Sequence, residues 1–162
     1  MRTFFLITLS ILSLIGCNFK TYKEKFSSIE NKDFSHFKGY SITYRKGIYL
    51  ISNANIVKDD KRIFIKKGFT GKIKYIKDIN DVLITKSEAD IKVLENILNK
   101  FDKLDVAYLS IDKLENIQFS FFDRNCHYSF LKLSPSNNLK DLNKTYFKKY
   151  KDNWYLDKEC SK

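Results

Sequence analysis

The chain has 162 residues, with 30 Lys plus Arg against 19 Asp plus Glu, for a formal net charge of +11. Its 5 Gly and 1 Pro exclude a collagen-like or low-complexity chain. Its 14 Phe and 10 Tyr supply bulk for one core of ordinary size that needs no metal staple.

The first element is an export signal. Arg2 precedes an apolar run from Phe4 to Ile15 that closes on Gly16 and Cys17. A charged start, a short apolar middle and a small residue at the end are the parts of a secretory signal. The run is shorter than the roughly 20 apolar residues that span a bilayer. Leu14-Ile15-Gly16-Cys17 resembles the lipobox of bacterial lipoproteins. The resemblance implies that residues 1–16 are removed as a signal peptide. It also implies that Cys17 takes a thioether-linked diacylglycerol and that the new N-terminus is acylated, with palmitate as the expected acyl chain. The membrane is then a partner through acylated Cys17. Asn18 differs from the Asp that retains lipoproteins in the inner membrane of enterobacteria, and no acidic cluster follows Cys17. The expected location is therefore the outer membrane, facing the periplasm. A basic, aromatic-rich chain raises nucleic acid as a partner, but an exported domain rarely meets it, so none is expected.

Residues 17–35 are polar and Lys-rich and are expected to form the tether between lipid and domain. Within them Phe19, Tyr22, Phe26 and Ile29 recur with the period of a helical face. That face has three possible neighbours: water in a flexible tether, the domain itself, or the head-group region of the membrane.

The domain is expected over residues 36–162. Tyr40 to Tyr44 alternates apolar and polar, Arg45-Lys46-Gly47 reads as a turn, and Ile48 to Ile51 returns as a partner strand. A polar loop around Asp59 and Asp60 leads to a strand at Arg62–Lys66. Gly68-Phe69-Thr70-Gly71 turns the chain into Lys72–Ile76, and Val82–Ile84 is read as a short further strand. Ser87 then caps the principal helix, Ser87–Phe101. Ile91, Leu94, Leu98 and Phe101 form its apolar face, widened by Ile97 and Leu104. Val106–Ile111, Ile117–Phe121 and His127–Leu133 read as strands, the last ended by Pro135. Leu139, Leu142, Tyr146 and Tyr150 suggest a second, shorter helix, and Trp154–Leu156 a last strand.

With Cys17 lipidated, Cys126 and Cys160 form an even pair in an oxidising compartment. Cys126 opens one strand and Cys160 follows the last, so antiparallel neighbours would bring them into a disulfide. Cys126 and His127 cannot act as a catalytic dyad, because neighbours in a strand point to opposite faces. His36 and His127 are too few for a familiar zinc site, so no metal and no cofactor are expected. Lys67-Gly68-Phe69-Thr70-Gly71-Lys72 lacks the length and the following helix of a phosphate loop and reads as a hairpin turn. Asp59, Asp60, Asp78 and Asp81 sit in loops with nothing to mark an acid–base pair. Tyr146, Lys148, Lys149, Tyr150, Trp154 and Tyr155 form an aromatic and basic string of a kind that interfaces favour. The same string arises when rings are buried in a core.

The sequence thus describes an α+β domain, a mainly antiparallel sheet of about six to eight strands with one principal helix packed on it. The expected role is non-enzymatic binding or assembly of envelope components, with a protein partner of acidic surface. A periplasmic immunity protein neutralising a toxin is the alternative, and a lipid or small-ligand carrier is the third.

Overall fold

The computed structural model describes residues 21–53 and 62–161. The expected signal, Cys17 and the loop around Asp59 and Asp60 lie outside the described residues.

The chain runs through α1 (Tyr22–Ile29), a 3-10 turn (Ser35–Phe37), β1 (Tyr40–Arg45), β2 (Ile48–Asn53), β3 (Arg62–Lys67) and β4 (Ile73–Lys77). Then follow α2 (Glu88–Asp102), β5 (Tyr108–Ile111), β6 (Ile117–Asp123), β7 (Cys126–Lys132), β8 (Lys148–Lys151) and β9 (Trp154–Cys160). The strands form one sheet of order β4-β3-β2-β1-β5-β6-β7-β9-β8. Every pairing is antiparallel. The fold is therefore α+β and mostly antiparallel sheet, with nine strands where about six to eight are expected.

The architecture is two meanders joined at the middle. β1 to β4 step outward by hairpins, α2 carries the chain back, and β5 pairs with β1. The other half then builds outward from β5. Strand alternation sends Ile42, Ile51, Ile63, Ile65, Leu109, Phe119, Phe121 and Phe130 to one face, where all are buried. Both helices cover that inner face. Ser87 caps α2 by accepting the Asp90 N–H at 3.1 Å. Leu94, Ile97, Leu98 and Phe101 of α2 are buried, and Phe101 meets Tyr49 of β2 edge-on.

The domain starts earlier than residue 36. Thr21 and Glu24 form a reciprocal capping box at the start of α1, and Tyr22 stacks on Tyr128 with centroids 4.5 Å apart. Phe26 and Ile29 are 1% and 2% exposed. Of the period-matched apolar residues of the expected tether, Phe26 and Ile29 are thus core residues with Tyr22 packed beside them, and the docked helix is the arrangement formed; Phe19 lies outside the described residues. Burial of a Phe and an Ile outweighs the freedom of so short a segment.

Two other expectations change. Residues 139–150 form turns and then β8 in place of a second helix. Leu139 and Leu142 instead pack with Tyr155 against buried Leu131, Leu133 and Phe147 on the opposite face of the sheet. Val82–Ile84 contributes an isolated bridge, Leu83 to Lys77, in place of a strand. Edge strand β4 still gains partial cover, since Ile84 donates its N–H to the Ile76 carbonyl at 2.9 Å.

Candidate functional site

The outer face of β1–β5 is unlike the rest of the molecule. Register pairs Thr43 with Leu50, Leu50 with Phe64, and Thr43 with Tyr108, all on the side away from the helices. Ile48, Leu50, Phe64, Tyr75 and Tyr108 are half-buried there, so each leaves apolar surface in contact with water. Around them Arg45 and Arg62 are exposed. Lys66 reaches over the β1–β2 turn toward Gly47, and the Lys77 ammonium lies 5.3 Å from the centre of the Tyr75 ring. The five strands carry six cations, Arg45, Arg62, Lys66, Lys67, Lys74 and Lys77, and no Asp or Glu, but Lys67 turns to Asp102 on the helix side and Lys77 is paired with Asp81 from the following turn at 2.8 Å. The second apolar cluster covers the β7–β9 end of this face.

Polar groups elsewhere in the domain have structural partners. Tyr49 donates its hydroxyl to Asp102 Oδ1 at 2.7 Å. Lys67 Nζ donates to Asp102 Oδ2 at 2.7 Å and to Asn99 Oδ1 at 2.8 Å. This cluster fixes the end of α2 to β2 and β3. Burial, reinforced by the Asp102 carboxylate, holds the Tyr49 phenol above its usual range. Glu95, 8% exposed, accepts the Ile73 N–H at 2.9 Å and Lys72 Nζ at 3.1 Å. The Ile73 N–H, helped by Lys72 and opposed by burial, holds its carboxyl below the usual glutamate range. Asn116 joins the β5–β6 turn to the turn after β7: its Nδ2 donates to Asp112, while its Oδ1 accepts from Ser134 N and Asn137 Nδ2. Lys144 donates to the Gln118 side chain, and Gln118 in turn donates to Ser129. Burial lowers the Lys144 pKa. Each network joins one piece of the fold to another.

The residues singled out in the sequence are placed as follows. Cys126 and Cys160 face each other across β7 and β9 and are joined as a disulfide with a Cα–Cα distance of 4.0 Å. His127 lies on the other side of its strand, tilted on Phe122 with centroids 4.9 Å apart. His36 is exposed, 3.6 Å from Asp33. Among the described residues no three His, Cys, Asp or Glu side chains are grouped to hold a metal. Among them, too, no helix is long and apolar enough to cross a membrane.

The aromatic and basic string near the C-terminus does not form one surface. Trp154 is 3% exposed and packs edge-on against Phe26 and Phe119. Tyr150 meets Phe26 and Phe130. Both belong to the inner core. Tyr155 packs on the second cluster, and Lys149 sits 4.9 Å above its ring. Tyr146 and Lys148 remain exposed. Alternation along β8 and β9 divides a string that is contiguous only in sequence.

Sequence reading missed the outer face of β1–β5. The signal was available: these strands put apolar residues at both parities and carry cations without carboxylates. Neither feature identifies a shared surface until the register is known. No family model, no curated protein and no solved structure matches this chain.

Proposed function

We propose that this chain is a lipid-anchored envelope protein whose domain binds an acidic protein partner through the outer face of β1–β5, without covalent chemistry of its own. The observation that carries the reading is the charge imbalance of that face. Arg45, Arg62 and Lys66 stand on it with no Asp or Glu in the five strands, and Lys77, paired with Asp81 at 2.8 Å, adds a fourth cation, beside half-buried Leu50, Phe64 and Tyr108. An apolar centre ringed by charge of one sign suits a partner of the opposite sign. Complementary charge accelerates encounter and fixes register, while the rings exclude water from the contact. The lipobox-like segment at Cys17 supplies the anchoring half of the proposal.

The test is a cross-linked pull-down of the tagged full-length protein from its native membranes, beside an Arg62→Glu/Lys66→Glu variant. Wild type is expected to retain an acidic protein in a salt-sensitive manner. The double reversal should lower recovery about tenfold or more, the loss of at least 1.4 kcal/mol. Equal recovery by both proteins would overturn the assignment of this face. The partner's identity then decides the biological role: a toxin would make the protein an immunity protein, and an envelope component an assembly factor.

A further inference from the structure

We infer that the rim of the sheet at which α1 begins is a second contact surface, one that seats on anionic lipid. The inference rests on the acylation of Cys17 proposed above and adds an orientation to it.

Three hairpin turns lie at that rim. Antiparallel register puts the β1–β2 turn at Lys46-Gly47, the β3–β4 turn from Gly68 to Lys72 and the β6–β7 turn at Arg124-Asn125 on the same end of the sheet. Helix α1 starts at this end, because Tyr22 stacks on Tyr128. Thr21, Tyr22 and Lys23 share a cleft there with Asp123, Arg124 and Lys158. The chain between Cys17 and Thr21 is four Cα steps, which reach at most about 15 Å. A lipid on Cys17 therefore brings the bilayer surface to this rim. The opposite rim lies a strand length away, about 20 Å for six residues, with α1 rising toward it.

Charge divides the same way. Arg45 to Ile48, Lys67 to Ile73 and Asp123 to Cys126 bracket the three turns of the anchor-side rim and hold five cations against one carboxylate, Asp123. Of these cations Lys67 is paired with Asp102 at 2.7 Å and Lys72 with Glu95 at 3.1 Å, while nearby Asp105 is paired with Lys25, so Arg45, Lys46 and Arg124 stand against Asp123. At the opposite rim, Lys77–Asp81, Asp112–Glu115 and Lys151–Asn153 hold three cations against five carboxylates among the described turns; with Lys77 paired to Asp81, Lys151 to Glu30 and Glu115 to Lys38, Lys113 stands against Asp78, Asp112 and Asp152. Anionic head groups attract the first rim and repel the second.

The anchor-side rim also offers rings. Phe69, between Gly68 and Gly71 at the tip of its hairpin, is 112% exposed, and Phe122 at the end of β6 is 68% exposed. Among the described residues none shields Phe69. Aromatic rings flanked by cations match the head-group region of a bilayer. β3 and β6 are four strand spacings apart, about 19 Å, so two separated rings would hold the domain against rocking. In this pose the strands stand away from the membrane, and the outer face of β1–β5 is open to the envelope space.

The experiment uses the full-length acylated protein, with a fluorophore on a single introduced thiol at Thr70→Cys or at Leu114→Cys. Both positions are exposed, on opposite rims. The proteins are reconstituted in vesicles of phosphatidylethanolamine and phosphatidylglycerol carrying nitroxide-labelled lipid. Flotation is scored first. A label at position 70 is expected to be quenched severalfold more than one at position 114. Quenching at 70 should fall when phosphatidylcholine replaces phosphatidylglycerol, and again with Phe69→Ser. Protein that floats with position 70 unquenched, or with 114 quenched equally, overturns the rim assignment and leaves the anchor standing. Protein that does not float overturns the anchor, and the orientation with it.

Discussion

Phe26 of α1 lies against Phe130 of β7 with ring centroids 4.5 Å apart. Residues on the N-terminal side of the sheet domain therefore belong to its core, and any lipid at Cys17 is joined to a folded body by a very short lead. Truncating Phe26 to Ala removes a ring that also meets Tyr150 and Trp154 edge-on. The expected loss is about 3–5 kcal/mol, the usual range for a buried Phe→Ala. Urea denaturation measures it. A loss below about 1 kcal/mol would mean that α1 docks without contributing to the core.

Glu95 makes stability depend on acid. Its carboxyl titrates below the ordinary value of 4.5 in the folded chain, chiefly because the Ile73 N–H donates to it. As pH falls, the unfolded chain takes up the proton first, so the stabilisation is complete above the ordinary value. It is lost as pH drops through the depressed folded value. Glu95→Gln should therefore be less stable than wild type at neutral pH, and the gap should close in acid. Unfolding midpoints measured across that range check this, and a gap independent of pH would contradict it.

The Cys126–Cys160 bridge spans a sequence separation of 34. Loop-closure entropy for a ring of that size is worth about 3–4 kcal/mol. Reducing agent, or the Cys126→Ser/Cys160→Ser pair, is expected to lower the melting temperature of the domain accordingly. Two free thiols counted in the untreated protein, with a melt indifferent to reductant, would show the bridge does not form in solution.

Much of the fold is legible in the sequence because its strongest patterns are periodic. The alternation in Tyr40–Tyr44 and Ile117–Phe121 gives β1 and β6, and the four-residue rhythm from Ile91 to Phe101 gives α2. Less is legible where local geometry depends on residues that do not announce it. Lys46, Arg124 and Asp152 adopt positive φ in hairpin turns, places where Gly or Asn would be the usual signal. Leu139 and Leu142 have helical spacing, yet Asn143 at φ 53° interrupts the run and the leucines cover the outer sheet. The six aromatic and basic residues from Tyr146 to Tyr155 illustrate the same limit. Two fill the core, and adjacency in sequence says nothing about a shared face. The basic outer face was invisible for the converse reason: Leu50, Phe64 and Tyr108 come to one surface only through the pairing of β2 with β3 and of β1 with β2 and β5.

The most direct measurement is the mass of the N-terminal peptide of the protein purified from its native membrane. Both proposed surfaces depend on where this chain is held. The account predicts a peptide that begins at Cys17 and carries a thioether-linked diacylglycerol and an amide-linked acyl chain. A peptide beginning at Met1, or at any residue after Cys17, or one with an unmodified Cys17 thiol, would contradict it.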